Sequence, residues 1–63
     1  MRLAIDQFYL HPKHNVIKFV GYNPDGQLLF DRWARWGETP WSPQNRLTVN
    51  RIESAIKPIP PPE

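Results

Sequence analysis

The chain has 63 residues, a net charge of +2, no cysteine, and an aromatic set of three Trp, three Phe and two Tyr. That size allows one small domain, which buries only about 60% of its unfolded surface and so leans heavily on aromatic packing or on association. Disulfides and thiolate metal sites are excluded, the 40% hydrophobic content excludes a wholly disordered chain, and no apolar run approaches the roughly 18 residues of a membrane span.

Residues 2–10 hold Leu3, Ile5 and Tyr9 on one alternation and Ala4, Phe8 and Leu10 on the other, which predicts a first strand. His11-Pro12-Lys13-His14-Asn15 breaks it, because proline and asparagine favour a turn. Residues 16–22, Val-Ile-Lys-Phe-Val-Gly-Tyr, are β-branched and aromatic and predict a second strand. Asn23-Pro24-Asp25-Gly26 is the strongest local feature: proline presets the first turn angle, aspartate tolerates the second and glycine supplies positive φ. A hairpin follows from it, with residues 27–36 as the returning strand. There Leu28, Phe30, Arg32, Ala34 and Trp36 alternate with Gln27, Leu29, Asp31, Trp33 and Arg35.

Gly37 ends that strand, and residues 38–45, with Pro40 and Pro43, read as a loop. Residues 48–57 change period. Thr48 can cap a helix, Val49, Ile52 and Ile56 recur at three and four, and Glu53 and Lys57 form an i,i+4 pair. A helix is expected there, stopped by Pro58; a fourth strand at 47–52 is the rival assignment. Residues 58–63 contain four prolines and read as an extended tail to a domain spanning 1–57. The expected architecture is α+β: a three-stranded antiparallel meander with one C-terminal helix laid over one face and the other face open. An all-β small barrel is the alternative.

The segment Phe30-Asp31-Arg32-Trp33-Ala34-Arg35-Trp36-Gly37-Glu38 concentrates two of the three tryptophans beside two arginines, with Trp41 close behind. Arginine contacts phosphates and tryptophan stacks on bases; the same residues also anchor protein interfaces. In a strand, Trp33 and Arg35 share one face and Arg32 and Trp36 the other, so one tryptophan should enter the core and the second should be more exposed. Within this segment, Arg32-Trp33-Ala34-Arg35-Trp36-Gly37-Glu38 resembles the Arg-Trp-Gly-Arg-hydrophobic-Gly-Glu core of the WGR domain family. A His-Asn turn (His14-Asn15) before an aromatic strand, and Ala55-Ile56 after the motif, follow in the family's order. The resemblance implies a small antiparallel sheet with a helix and a role in DNA-end or nucleic-acid recognition, with Trp33 and Arg35 at the name positions. Ala34 replaces the family's central glycine, Trp36 its small aliphatic residue, and Thr39-Pro40 its usual Gly-Gln.

Other chemistry finds little footing. His11 and His14 form His-x-x-His without a matching third ligand, and are read as exposed turn residues. Ser42 and Ser54 have no histidine nearby in sequence, as a nucleophile would need. Asp31 and Glu38 balance Arg32 and Arg35 more readily than they form an acid–base pair. There is no glycine-rich phosphate loop. Pro58-x-x-Pro61 fits a groove that reads proline helices, or is a stiff end.

The expectation is therefore a small non-enzymatic binding module with no catalytic residues, no metal and no cofactor. It contacts nucleic acid through Arg32, Arg35, Lys18 and Arg46 on phosphate, with Trp33, Trp36, Tyr22 and Trp41 as stacking surface. The alternatives are a protein-binding adaptor or inhibitor using the aromatic sheet face or a strand edge, and a homo-oligomer or subunit of a larger complex. Arg32, Arg35, Arg46 and Arg51 converging on one face would favour nucleic acid; scatter, with an apolar aromatic patch left bare, would favour a protein partner. No membrane association is expected, and without a charged and apolar leader the expected location is cytoplasmic.

Overall fold

The computed structural model describes residues 3–51 and 56–62. They form five antiparallel strands in one open sheet: β1 (Phe8–His11), β2 (Asn15–Tyr22), β3 (Leu28–Ala34), β4 (Ser42–Val49) and β5 (Lys57–Ile59), in the spatial order β4-β3-β2-β1-β5.

β2 and β3 form the centre, as their apolar, β-branched alternation predicts. Phe19 lies opposite Phe30 and Ile17 opposite Arg32. The Asn23–Gly26 turn between them forms as the sequence dictates. Gly26 takes φ +83°, and Asn23 Oδ1 accepts from the amides of Asp25 and Gln27 at 3.0 and 2.8 Å. The first strand is shorter than its alternation suggests because the chain bends at Asp6, which adopts φ +69°. The Asp6 amide donates to the Phe19 carbonyl, and the Phe19 amide donates to Gln7. Two residues thus oppose one, the count of a β-bulge, and aspartate tolerates the left-handed backbone this requires.

The expected α+β class and C-terminal helix are overturned: the molecule is all-β, and no helix occurs among the described residues. Thr48 and Val49, expected at the helix start, continue β4 opposite Leu29 and Leu28. Lys57, expected to end the helix, opens β5 opposite Leu10. Residues 52–55, the middle of the expected helix, lie outside the described residues. The helical spacing of Val49 and Ile56 has another origin. Val49 packs against the core from an edge strand, and Ile56 is buried in that core just before β5. The three-stranded meander therefore gains a strand on each side. The all-β barrel alternative does not hold in its closure, since β4 and β5 stand at opposite edges of an open sheet.

Residues 38–45, expected as loop, contribute the start of β4 from Ser42. The proline-rich end is likewise drawn into the sheet, with Pro58 opposite Tyr9 on an edge strand, where the missing N–H has least cost. Gln7 Nε2 fastens this edge by donating to the Ile59 carbonyl at 3.0 Å.

One sheet face carries the core: Tyr9, Ile17, Phe19, Leu28, Phe30 and Ile56 are buried together, with Leu3, Leu47 and Val49 packed at the margin. The Tyr9 hydroxyl accepts from the Ala4 amide, giving its polar end a partner. Among the described residues no helix is long and apolar enough to cross a membrane.

Candidate binding surfaces

The strand register sorts the candidate residues onto three different surfaces. Arg32 sits opposite Ile17 and Asn45, on the core side of the sheet. Tyr22, opposite Leu28 on that same side, packs edge-on against Phe19 at 5.5 Å while remaining exposed.

Lys18, Trp33 and Arg46 project from the other side. A transverse row runs across all five strands there: Ile59, Phe8, Lys18, Asp31 and Arg46 are successive cross-strand partners. Trp33, opposite Val16, meets Phe8 edge-to-face at 5.1 Å. The Lys18 ammonium lies 5.3 Å from the Trp33 ring and 6.0 Å from the Phe8 ring, within cation–π range, and it reaches Asp6 at 4.0 Å. Arg46 Nε donates to Asp31 Oδ1 at 2.7 Å. The charges on this face are thus engaged within the chain. Trp33 Nε1 is buried with no hydrogen-bond partner, so the indole is placed for packing against Phe8, with its N–H a tolerated cost of about 1–3 kcal/mol.

Arg35, Trp36 and Trp41 belong to the β3–β4 connection. Its backbone is closely tied. Thr39 Oγ1 accepts from the Trp36 amide at 3.1 Å and donates to the Trp36 carbonyl at 2.7 Å. The Thr39 amide donates to the same carbonyl at 3.1 Å. Gly37, at φ +60°, permits the tight reversal, and Arg35 Nε donates to its carbonyl at 3.2 Å. The result holds Trp36 outward, 66% exposed, while Trp41 is half-buried.

β2 pairs antiparallel with both β1 and β3, so the 12–14 turn and the 35–41 connection leave the sheet at the same end. Lys57, opposite Leu10, opens β5 at that end as well. Lys13, Arg35 and Lys57 are therefore gathered around one end with Glu38 as the acidic counterpart, while Asp25 lies in the turn at the other. Leu10, His11, Pro12, Asn15 and Lys57 line a shallow open depression there. Lys13 and Lys57 were not among the sequence-derived candidates. Lys57 carries no local sign of its position, since only the pairing of β5 with β1 brings it to this end.

His11 Nδ1 accepts from the amides of Lys13 and His14 at 3.0 and 3.2 Å. Neutral His11 must then carry its proton on Nε2, which leaves no free ring lone pair for a metal. Its ring lies 4.7 Å from that of His14. Burial, then the neighbouring His14 and Lys13, push the His11 pKa below its usual 6.5. Among the described residues no group of three or more acidic or histidine side chains is placed to hold a metal ion.

The four arginines named as the discriminating set do not share a face. Arg32 is on the core side, Arg46 is on the opposite side against Asp31, and Arg35 is in the β3–β4 connection. Arg51 follows Asn50 at the other end of β4, where Asn50 accepts from Gln27 Nε2 at 2.6 Å. Comparison with family models, curated proteins and solved structures finds no match to this chain.

Proposed function

We propose that this chain is a small, non-enzymatic protein-binding module whose anchor is Trp36. The observation that carries the reading is a tryptophan 66% exposed on a turn braced by three hydrogen bonds to Thr39. A large apolar side chain held outward by an ordered backbone loses little conformational freedom on docking, and tryptophan is prominent among the residues that dominate interface energy. Among the described residues, Lys13, Arg35 and Lys57 around the same end outnumber Glu38, so the complementary partner surface is acidic with an apolar pocket. Arg51 lies at the opposite end, Arg32 is on the core side and Arg46 is turned onto Asp31 on the other face, a dispersal that supports a protein partner over a polyanion.

A second reading keeps the nucleic-acid role, including the one implied by the WGR-like segment. What favours it is the same end of the sheet, where Arg35 and Trp36 offer a phosphate contact beside a stacking ring. Trp33, the other motif position, is less suited to stacking because it is packed against Phe8.

The experiment compares the unmodified chain with Trp36→Ala in affinity capture, alongside tryptophan-fluorescence titration with DNA and RNA oligonucleotides at low and higher salt. The protein reading expects Trp36→Ala to weaken partner capture about 30-fold or more, the cost of removing an interface anchor, with circular dichroism unchanged. Salt-sensitive quenching by oligonucleotides that is lost in Arg35→Ala would transfer the assignment to nucleic acid.

A further inference from the structure

The two edges of the sheet are built differently. β5 is three residues long with Pro58 at its centre, and both features discourage pairing with another strand. β4 is eight residues long, and its proline stands at its second position. From Gln44 to Val49 every residue has an N–H, and β4 stands at the end of the strand order, paired with β3 alone among the described residues. Its one charge, Arg46, is folded back onto Asp31 of the same chain instead of guarding the edge. On the core side the apolar cluster stops abruptly here. Phe30 and Leu28 are buried, but their β4 neighbours Leu47 and Val49 are only half-covered.

We infer that β4 pairs antiparallel with β4 of a second copy, joining two sheets into one of ten strands. The choice of a second copy over a foreign strand rests on self-complementarity. A two-fold axis perpendicular to the sheet at Leu47 sets Leu47 beside Leu47 of the second copy; at Thr48 it sets Leu47 beside Val49 of the second copy. In both registers the two cores continue into each other on the same side of the sheet, and Arg46 meets a neutral residue, Thr48 or Asn50. An axis at Arg46 would oppose like charges, which disfavours that register. A one-residue slip would turn one copy's core to the other's outer face. For a chain this small, extending the core across a shared edge also supplies burial that one copy lacks. This surface is separate from the Trp36 end, so the two proposals stand or fall independently.

The test is sedimentation velocity from low-micromolar to near-millimolar concentration. The unmodified chain should move from monomer to dimer. Thr48→Lys alters an exposed side chain. It sets the introduced ammonium against Arg46 of the second copy in the first register, or against the same introduced ammonium in the second. Self-association should therefore weaken at least tenfold, with the monomer's circular dichroism retained. Asp25→Asn adds the same charge increment in the 23–26 turn, outside the 44–49 pairing, and should dimerise normally. In the unmodified chain, hydrogen-exchange protection of the 44–49 amides should rise with concentration while that of the 23–26 turn stays constant. A monomer at every concentration, a dimer undisturbed by Thr48→Lys, or 44–49 protection independent of concentration would overturn the inference.

Discussion

Trp33 and Trp36 stand three residues apart and meet opposite surroundings. Trp33 is the sixth residue of β3, with its side chain fixed by strand alternation beside Phe8. Trp36 lies past the strand end, where the Thr39 brace sets its direction. The expectation from alternation that one of them enters the core is not met: Trp33 packs on the side away from the main core, Arg32 takes the core side, and Trp36 is exposed beyond the end of β3 at Ala34. His11 shows how a side chain near the candidate end acts on its own backbone. It holds the 12–14 turn only while Nδ1 is unprotonated. Its folded pKa lies below the ordinary 6.5, so between those values the unfolded chain binds more protons. The turn's contribution to stability is therefore complete above pH 6.5 and is lost as pH falls through the lowered folded value. Urea midpoints measured across this window should fall with acidity in the unmodified chain. His11→Asn, which keeps an acceptor for the turn amides, should show a shallower slope.

At the scale of elements, the sheet is ordered by what each strand has to bury. β2 and β3 lie inside the sheet and their sequences alternate accordingly. β4 reads as Ser-Pro-Gln-Asn-Arg before any apolar residue appears, because an edge strand beside an open face needs burial only at Leu47 and Val49. Such a segment has no periodic signature, and two prolines nearby make it resemble a loop. β5 is still less legible: three residues with a central proline become a strand only because β1 offers a free edge and Gln7 clamps Ile59. Gln7→Ala removes that clamp. The expected cost is about 1 kcal/mol, the worth of one part-buried hydrogen bond. Hydrogen exchange should locate the loss in the β1–β5 pairing while the β2–β3 amides keep their protection.

For the molecule as a whole, one small core bears most of the stability. A domain of this length has roughly 3–9 kcal/mol in total. Phe30 is 2% exposed and packs against Phe19 at a centroid distance of 5.3 Å. Truncating a buried phenylalanine to alanine costs about 3–5 kcal/mol, so Phe30→Ala should lose about a third or more of that stability and unfold at a much lower urea concentration. Loss of the β-sheet circular dichroism signal would register it. Lys18→Met, by contrast, removes a partly exposed cation from between two rings while keeping an apolar stem, and should cost about 1 kcal/mol or less. Two denaturation curves separate the core that carries the fold from the aromatic row that covers its other side.

Local chemistry alone determined the Asn23–Gly26 turn, the strands on either side of it and the density of arginine and tryptophan in residues 32–36, because each depends on residues close together in the chain. Tertiary structure decided the rest. Val49 and Ile56 have helical spacing, yet β4 and β5 are sheet edges whose identity depends on pairing with strands elsewhere in the chain, Val49 with Leu28 and Lys57 with Leu10. The same long-range pairing turned Arg46 onto Asp31, set Lys18 over Phe8 and Trp33, and brought Lys13 and Lys57 to the end where Trp36 stands. A sequence states which side chains are available, whereas strand order and register state which of them meet.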